Sequence, residues 1–422
     1  MNYPDSVQFL YALGNEIKTA KLGLERIAIV LDALGRPQDD LRFVHVAGTN
    51  GKGSVCAMIE SGLRSAGQRT GLFTSPHLAE PTERIRIDGV PLTAEAFAAV
   101  FERVHAKVEA LLESGAIDMH TTYFETVTAM AMMAFVNAKV DRVVLEVGLG
   151  GRLDATNVVR PELTLITPVD FDHEVYLGRS LEAIAGEKAG ILKEGVPAVF
   201  ARQRPEALAV LEARAAVLGV SVAHTSDVEV RDLELDARGS SFHLGNLRMR
   251  CGLAGEHQVE NAVTAAVALV QLGTAASAIE VGIASARWPG RLERVSEQPE
   301  IILDGAHNPA GARALAAYIQ RFYSGRNVRL IYGAMRDKAV EEISGILFPL
   351  AVQVIVTAPR QARALAPETM RQVSDHANLT VAAGIEEALA MVRGAGPEDA
   401  IFVTGSLFLV AEARAAIIGE TR

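Results

Sequence analysis

The feature that most constrains this chain is the string Arg42-Phe43-Val44-His45-Val46-Ala47-Gly48-Thr49-Asn50-Gly51-Lys52-Gly53-Ser54. A short apolar run leads into glycines, a lysine and a hydroxyl, and a helical pattern follows over Val55–Ala66. Glycines let a backbone curl so that several N–H groups face one anion. The helix that follows adds the partial positive charge of its N-terminus. Lys52 adds a full charge able to reach the outer phosphates of a nucleotide. Thr49, Asn50, Gly51, Lys52, Gly53 and Ser54 are therefore phosphate-binding candidates. The match to G-x-x-x-x-G-K-[ST] is loose: Val46 takes the first glycine position, and Gly53 separates Lys52 from Ser54. A glycine-rich turn with a solvated lysine is the competing reading.

The rest of the chain repeats the grammar of short apolar strands followed by longer helices. Strands are expected at Leu41–Ala47, Asp141–Val147, Leu163–Thr167, Ile301–Leu303, Val328–Tyr332, Val352–Thr357 and Ile401–Thr404. Helices are expected at Tyr123–Ala138, Val259–Leu272 and Pro309–Phe322. Continuous apolar runs suit strands buried on both faces of a parallel sheet. The alternation implies an α/β fold. Residues 227–250 instead alternate polar and apolar around two turns, which predicts a small antiparallel sheet. The Pro289-Gly290 pair breaks the pattern. We expect an N-terminal P-loop domain over 1–287, a linker at 288–297 and a C-terminal Rossmann-like α/β domain over 298–422. The first domain would hold a mostly parallel sheet plus the small antiparallel one.

The 422 residues suit two or three domains. A net charge of −10 disfavours nucleic acid as a partner. Two distant cysteines exclude a disulfide scaffold. The N-terminus lacks a secretory pattern and no apolar run is long enough to span a bilayer, so a cytoplasmic location without membrane association is expected.

Further candidates stand at strand ends. Glu146 closes an apolar strand, where a carboxylate suits Mg²⁺ or an ordinary salt bridge. A glycine-rich segment with Leu153, Asp154 and Ala155 follows as a binding loop. Asp170, Asp172 and His173 follow another strand; His173 is a second metal candidate or a structural hydrogen-bonder. Lys188 ends a helical stretch beside Glu187, where the simplest reading is a solvated lysine. Ser75 belongs to a metal shell or a proline turn. Asp304 and His307 follow a strand in the second domain, with Asn308 an N-cap and Pro309 its first helical residue. Asn261 is a polar residue on an apolar helix that needs a partner, and Arg291 follows the Pro-Gly break.

Taken in order, these strings resemble the folylpolyglutamate synthase and dihydrofolate synthase family, related to the muramyl-peptide ligases. The resemblance also rests on Gly23-Leu24-Glu25-Arg26-Ile27, Thr74-Ser75-Pro76-His77-Leu78, Glu83-Arg84-Ile85-Arg86, Thr122-Tyr123-Phe124-Glu125 and Gly405-Ser406-Leu407. It implies a Mur-ligase-like central domain and a C-terminal domain of the glutamate ligase type. It implies ATP-dependent addition of L-glutamate to dihydropteroate and to reduced folates through an acyl phosphate. Arg152 and Ala155 resemble the bifunctional bacterial type. A muramyl-peptide ligase, a synthase limited to folate polyglutamylation and a nucleotide-dependent switch are the alternatives.

The residue roles that the resemblance implies are these. Residues 49–54, Asn261, Arg291 and Asp304 hold ATP. Ser75 and Glu146 hold one Mg²⁺, and His173 a second with Lys188 as a carbamate; a monovalent cation is an optional addition. Lys21, Leu22, Gly23, His77, Arg84, Thr122, Tyr123, Phe124, Glu125, Leu153, Asp154 and Ala155 contact the substrate. Lys52, Lys188, His173, Asp304 and His307 serve catalysis. A monomer is expected.

Overall fold

Several of the apolar runs fold as strands whose every residue is buried. In the computed structural model, which describes residues 1–14 and 23–419, Phe43–Ala47 (β1) is buried throughout, as is Leu163–Ile166 (β6). Between them in sequence come Thr70–Phe73 (β2), Ile85–Ile87 (β3), Val90–Pro91 (β4) and Arg142–Glu146 (β5). Ala198–Phe200 (β7) and Val222–His224 (β8) complete an eight-stranded sheet ordered β4-β3-β2-β5-β1-β6-β7-β8. Pairing is parallel from β2 to β8, and only β3 and β4 run antiparallel. β1 therefore lies between β5 and β6, with Val46 opposite both Glu146 and Leu165. The loops leaving these three strands open on one sheet edge, where ligands of open α/β sheets bind.

Val230–Asp236 (β9), Gly239–Leu244 (β10) and Leu247–Cys251 (β11) form the expected small sheet, joined by two-residue turns. A six-stranded sheet follows: Glu293–Glu297 (β12), Glu300–Leu303 (β13), Asn327–Tyr332 (β14), Gln353–Val356 (β15), Leu379–Val381 (β16) and Asp399–Thr404 (β17). Its order is β12-β13-β17-β14-β15-β16, and only the β12–β13 pair is antiparallel. The chain divides into two compact units, Met1–Glu229 with Leu244–Leu247 and Glu260–Ala286, and Val230–His243 with Arg248–Val259 and Arg287–Arg422. Most of the small antiparallel sheet thus groups with the second unit and not with the first as expected, and Glu293–Glu297 of the expected linker is an edge strand.

Helices cover the first sheet. Tyr123–Ala138 is buried almost all round, from Tyr123 to Phe135, which explains its near-absence of charge. Ala94–Glu113 buries Phe97, Val100, Phe101, Val104 and Val108, a helical stripe one face wide. Lys52–Ser65 packs against Ala276–Ser285 where glycines meet. A Cβ on Gly282 would lie 2.3 Å from the Gly62 Cα, so only hydrogen atoms fit at that crossing.

The phosphate-loop helix begins at Lys52, three residues before the sequence pattern suggests. Gly51 takes φ +86°, a left-handed turn that redirects the chain so the helix can start at once. β7, β8, β12 and β16 were not among the expected strands; three of them are edge strands with partly exposed residues and lack a continuous apolar run. Among the described residues no helix is long and apolar enough to cross a membrane. Cys56 and Cys251 are buried and unbridged.

Candidate functional site

The loop after β1 is pinned by backbone contacts before any ligand is considered. The N–H groups of Thr49 and Asn50 donate to the Pro168 carbonyl at 3.0 and 3.3 Å. The Thr49 hydroxyl donates to the Asp170 carbonyl at 2.9 Å and accepts from the Asp170 N–H at 3.0 Å. Gly48 leaves no room for a side chain: a Cβ there would lie 1.9 Å from the Thr167 hydroxyl. At Gly51 a Cβ would lie 2.3 Å from the Asn261 Oδ1. Asn261, on the helix Glu256–Gln271, therefore lies against the loop, and its buried amide belongs to this edge of the sheet.

Two amines converge on one carbonyl. Lys52 Nζ donates to the Gly48 and Thr49 carbonyls at 3.1 and 3.0 Å. Lys188 Nζ donates to the same Gly48 carbonyl at 2.8 Å. Lys188 ends the helix Leu181–Ala189 and is buried, which corrects the simplest expectation of a solvated lysine. The sequence misleads because Glu187, its neighbour, points elsewhere and pairs with Arg152 at 2.8 Å. Burial first, and then the charge of Lys52, pull Lys188 down to about 7, against the opposing pull of Asp172 and Asp154. Burial thus favours the neutral amine, the form that can react with carbon dioxide.

Glu146 ends β5 beside the loop, buried, and its Oε2 accepts the Ser75 N–H at 3.1 Å. Ser75 and Glu146, 71 residues apart in sequence, are thereby brought together. His173 has φ +52° and caps a short helix, Glu174–Leu177. Its N–H donates to Asp172 at 2.8 Å, and its ring is 29% exposed. Asp154 sits deep in the glycine-rich loop, where Oδ2 accepts the Leu149 N–H at 2.8 Å and Oδ1 the Thr156 N–H at 3.0 Å. Burial raises its pKa above the usual carboxylate value, with these hydrogen bonds opposing.

A second group lies around the start of the helix Tyr123–Ala138. Thr122 and Glu125 form a reciprocal cap: Glu125 N–H donates to the Thr122 hydroxyl at 3.2 Å, and Thr122 N–H to Glu125 at 2.7 Å. Arg26 donates to both oxygens of the same carboxylate, at 3.2 and 2.9 Å from Nε, and its Nη2 lies 2.8 Å away. Arg84 stands 4.9 Å over the Tyr123 ring and donates to His77 Nδ1 at 2.9 Å. Accepting at Nδ1 requires the His77 proton to sit on Nε2, 3.3 Å from the Tyr11 hydroxyl. Burial and then Arg84 hold His77 neutral, its value lowered to about 3. Tyr11 stacks on Tyr123 with an interplanar angle of 13°. Phe124 packs against the backbone of Gly148, where a Cβ would come within 2.5 Å of its ring.

Tyr11 and Arg26 join this group although neither was among the candidates from the sequence. Arg26 sits in one of the strings that carry the resemblance, but only the fold reveals its bidentate pairing with Glu125. Nothing in the local sequence marks Tyr11. Lys21 and Leu22 lie outside the described residues. Leu153 and Ala155 flank Asp154 in the glycine-rich loop, with Ala155 buried.

The remaining candidates belong to the second unit. Asp304 ends β13, buried, and is engaged by backbone: Oδ2 accepts the Leu292 N–H and Oδ1 the Ala306 N–H, both at 3.0 Å. His307 Nδ1 lies 2.7 Å from the Gly305 carbonyl. Asn308 caps the helix Pro309–Phe322 through the Gly311 N–H at 2.8 Å, as expected. Arg291 Nη1 donates to the Gly290 carbonyl at 3.0 Å. His257 lies close enough to feel both Asp304 and Arg291, but burial dominates and lowers its value.

Comparison with known proteins fits this geometry. Residues 46–269 match the Mur ligase middle domain, and residues 290–407 the Mur ligase glutamate ligase domain. The chain is 36% identical over 411 residues to the dihydrofolate synthase/folylpolyglutamate synthase of Bacillus subtilis, covering 93% of this chain and 94% of that one. It superimposes on Mycobacterium tuberculosis folylpolyglutamate synthase complexed with ADP and AMPPCP with a TM-score of 0.92 at 33% identity, covering both chains fully. It also superimposes on Escherichia coli FolC in complex with DHPP and ADP with a TM-score of 0.89 at 31% identity, covering 99% and 98%. The chain belongs to the dihydrofolate synthase/folylpolyglutamate synthase family, built on the Mur ligase domains.

Proposed function

We propose that this protein is an ATP-dependent ligase that joins L-glutamate to the carboxylate of dihydropteroate and of reduced folates. The observation that carries this reading is the pairing of Lys52 and Lys188 on the carbonyl of one glycine in a pinned phosphate loop. The ligands complexed with the related structures, ADP, AMPPCP and DHPP, support the nucleotide and pterin classes.

In this reading the loop amides and Lys52 grip the triphosphate, with Asn261 beside Gly51. The substrate carboxylate attacks the γ-phosphorus, the bond to the bridging oxygen breaks and ADP leaves. The amine of glutamate then attacks the acyl carbon, loses a proton, and inorganic phosphate departs. The chain supplies no covalent nucleophile; it aligns the reactants and neutralises charge that spreads over the transferring oxygens. The Tyr11–Tyr123 stack, with Arg84 over it, suits a flat heteroaromatic ring, and the Arg26–Glu125–Thr122 lock fixes the helix that carries Tyr123.

The donors fit magnesium unevenly. A buried carboxylate and a hydroxyl, Glu146 and Ser75, are hard oxygen ligands and suit a first ion. His173 with Lys188 suits a second only if the lysine carries a carbamate, since an ammonium repels a cation. The lowered value of Lys188 makes that modification accessible. Bound magnesium would neutralise charge on the nucleotide's outer phosphates.

The test is ADP release with dihydropteroate, tetrahydrofolate or a muramyl peptide, each with and without L-glutamate. Release that needs both a pterin substrate and glutamate supports the proposal. Release with the muramyl peptide alone among the three overturns it, and release with tetrahydrofolate but not with dihydropteroate restricts it to polyglutamylation. For Lys188, ¹³C-bicarbonate should give a carbamate carbonyl resonance that Lys188→Arg removes.

A further inference from the structure

Away from the phosphate loop, three side chains meet near the end of the helix Ala94–Glu113. His105 and Glu109 lie one turn apart on one face of it. His120 arrives from the segment that leads to the Thr122 cap. His105 Nδ1 is 3.7 Å from Glu109 Oε1, and His120 Nε2 is 3.6 Å from the same oxygen. One ligating atom from each residue lies within 4.8 Å of the other two.

Three observations set this cluster apart from a solvated ion pair. The two imidazole nitrogens are buried and have no hydrogen-bond partner among the described residues, although the carboxylate is near. Both rings are mostly enclosed, with side chains 14% and 18% exposed. The other nitrogen of His120, Nδ1, is 3.0 Å from the Thr121 carbonyl. A carbonyl only accepts, so Nδ1 carries the proton and the neutral ring turns a lone pair on Nε2 toward Glu109. A backbone acceptor behind a ring is the arrangement that orients histidine ligands in metal sites.

The surroundings favour a dehydrated ion. The Phe9 ring lies 4.5 Å from His105 and 5.4 Å from His120, centre to centre, and Phe101 stacks on His105 at 10°. Ligands about 2 Å from a shared tetrahedral ion stand about 3.3 Å apart. The observed separations from the carboxylate oxygen are only slightly wider.

We propose that His105, Glu109 and His120 form a site for a divalent transition-metal ion of the zinc class. Two imidazoles and a carboxylate suit zinc or cobalt and not magnesium, which takes oxygen. The ion would tie the helix Ala94–Glu113 to the segment that enters the Thr122–Glu125 cap. It is distinct from the residues proposed for the ligase reaction, and its role is to fix that joint.

The test uses untagged full-length protein stripped with a chelator. Zinc is titrated by calorimetry, and cobalt by its visible absorption. One equivalent should bind, with tetrahedral cobalt bands and a zinc-dependent rise in melting temperature. His120→Gln and His105→Gln should each weaken zinc at least about tenfold, and Glu109→Gln should weaken it less. Metal-free melting curves of each variant report whether folding is intact. If His120→Gln does not fold, Glu109→Gln decides, because that side chain is half-exposed and its loss leaves no buried gap. Absence of a bound equivalent overturns the proposal. So does an equivalent that persists in the folded variants or is removed by His173→Gln instead.

Discussion

The edge of the first sheet and the edge of the second are written in the same grammar and hold their polar groups differently. In each, a buried strand ends in a polar residue or glycine, a turn follows, and a helix begins. After β1 the turn leaves two amines sharing the carbonyl of Gly48, and at the end of β5 the buried carboxylate of Glu146 accepts the Ser75 N–H. After β13 the carboxylate of Asp304 is taken up on both oxygens by the backbone of Leu292 and Ala306. The first edge gathers two amines and a carboxylate around one loop. The second spends its acid on closing its own turn. An acid at a strand end is thus not by itself the sign of a site.

This contrast can be broken at either end. The largest effect is expected at Lys52. Lys52→Ala should lower glutamate-dependent ADP release by about 10²–10³-fold or more, with an unchanged melting temperature. Near-normal turnover would remove the first edge from the chemistry. Glu146→Gln should cost about 10²-fold and shift the magnesium requirement upward; an identical magnesium titration would mean that Glu146 only positions Ser75. At the second edge the readout should change in kind. Asp304→Ala leaves two buried N–H groups without acceptors and should destabilise the protein by about 1–3 kcal/mol in denaturant unfolding. A large kinetic defect with unaltered stability would show that both edges work alike.

The smallest effect concerns His45, inside β1 and directly beneath the loop. Burial, and then the charge of Lys193, lower its value to about 3, while Nε2 lies 2.9 Å from the Thr156 hydroxyl. The unfolded chain binds this proton near pH 6.5 and the folded chain does not. The stability it contributes is therefore complete above that pH and falls as the pH drops toward 3, by at most about 1.4 kcal/mol per pH unit. Denaturant midpoints between pH 7 and 4.5 should fall less steeply in His45→Gln. Equal slopes would place the acid sensitivity elsewhere, for example in His77, which is held neutral in the same way.

Much of the first edge was legible because its signals are local. The β1 string, the glycines and Lys52 occupy one continuous stretch, and strand burial follows from apolar runs. The helix start at Lys52 was misplaced by three residues because a glycine in a left-handed turn, not apolar periodicity, sets it. What escaped is what depends on distant pairing. Lys188 reads as solvated because its neighbour Glu187 is charged, and only the return of the chain to Gly48, 140 residues away, buries it. The partnership of Arg26 with Glu125 spans 99 residues, and Tyr11 reaches Tyr123 from another helix altogether. The antiparallel sheet was readable from its two turns; the edge strands β8 and β16, half-exposed and three residues long, carry too little pattern.

The most direct measurement follows one oxygen. Dihydropteroate labelled with ¹⁸O in its carboxylate is turned over with ATP and L-glutamate, and the inorganic phosphate released is examined by mass spectrometry. Transfer of the terminal phosphoryl group from the loop-held nucleotide to that carboxylate predicts one ¹⁸O atom in each phosphate formed. Phosphate free of label, formed at the same rate as the amide, would contradict it.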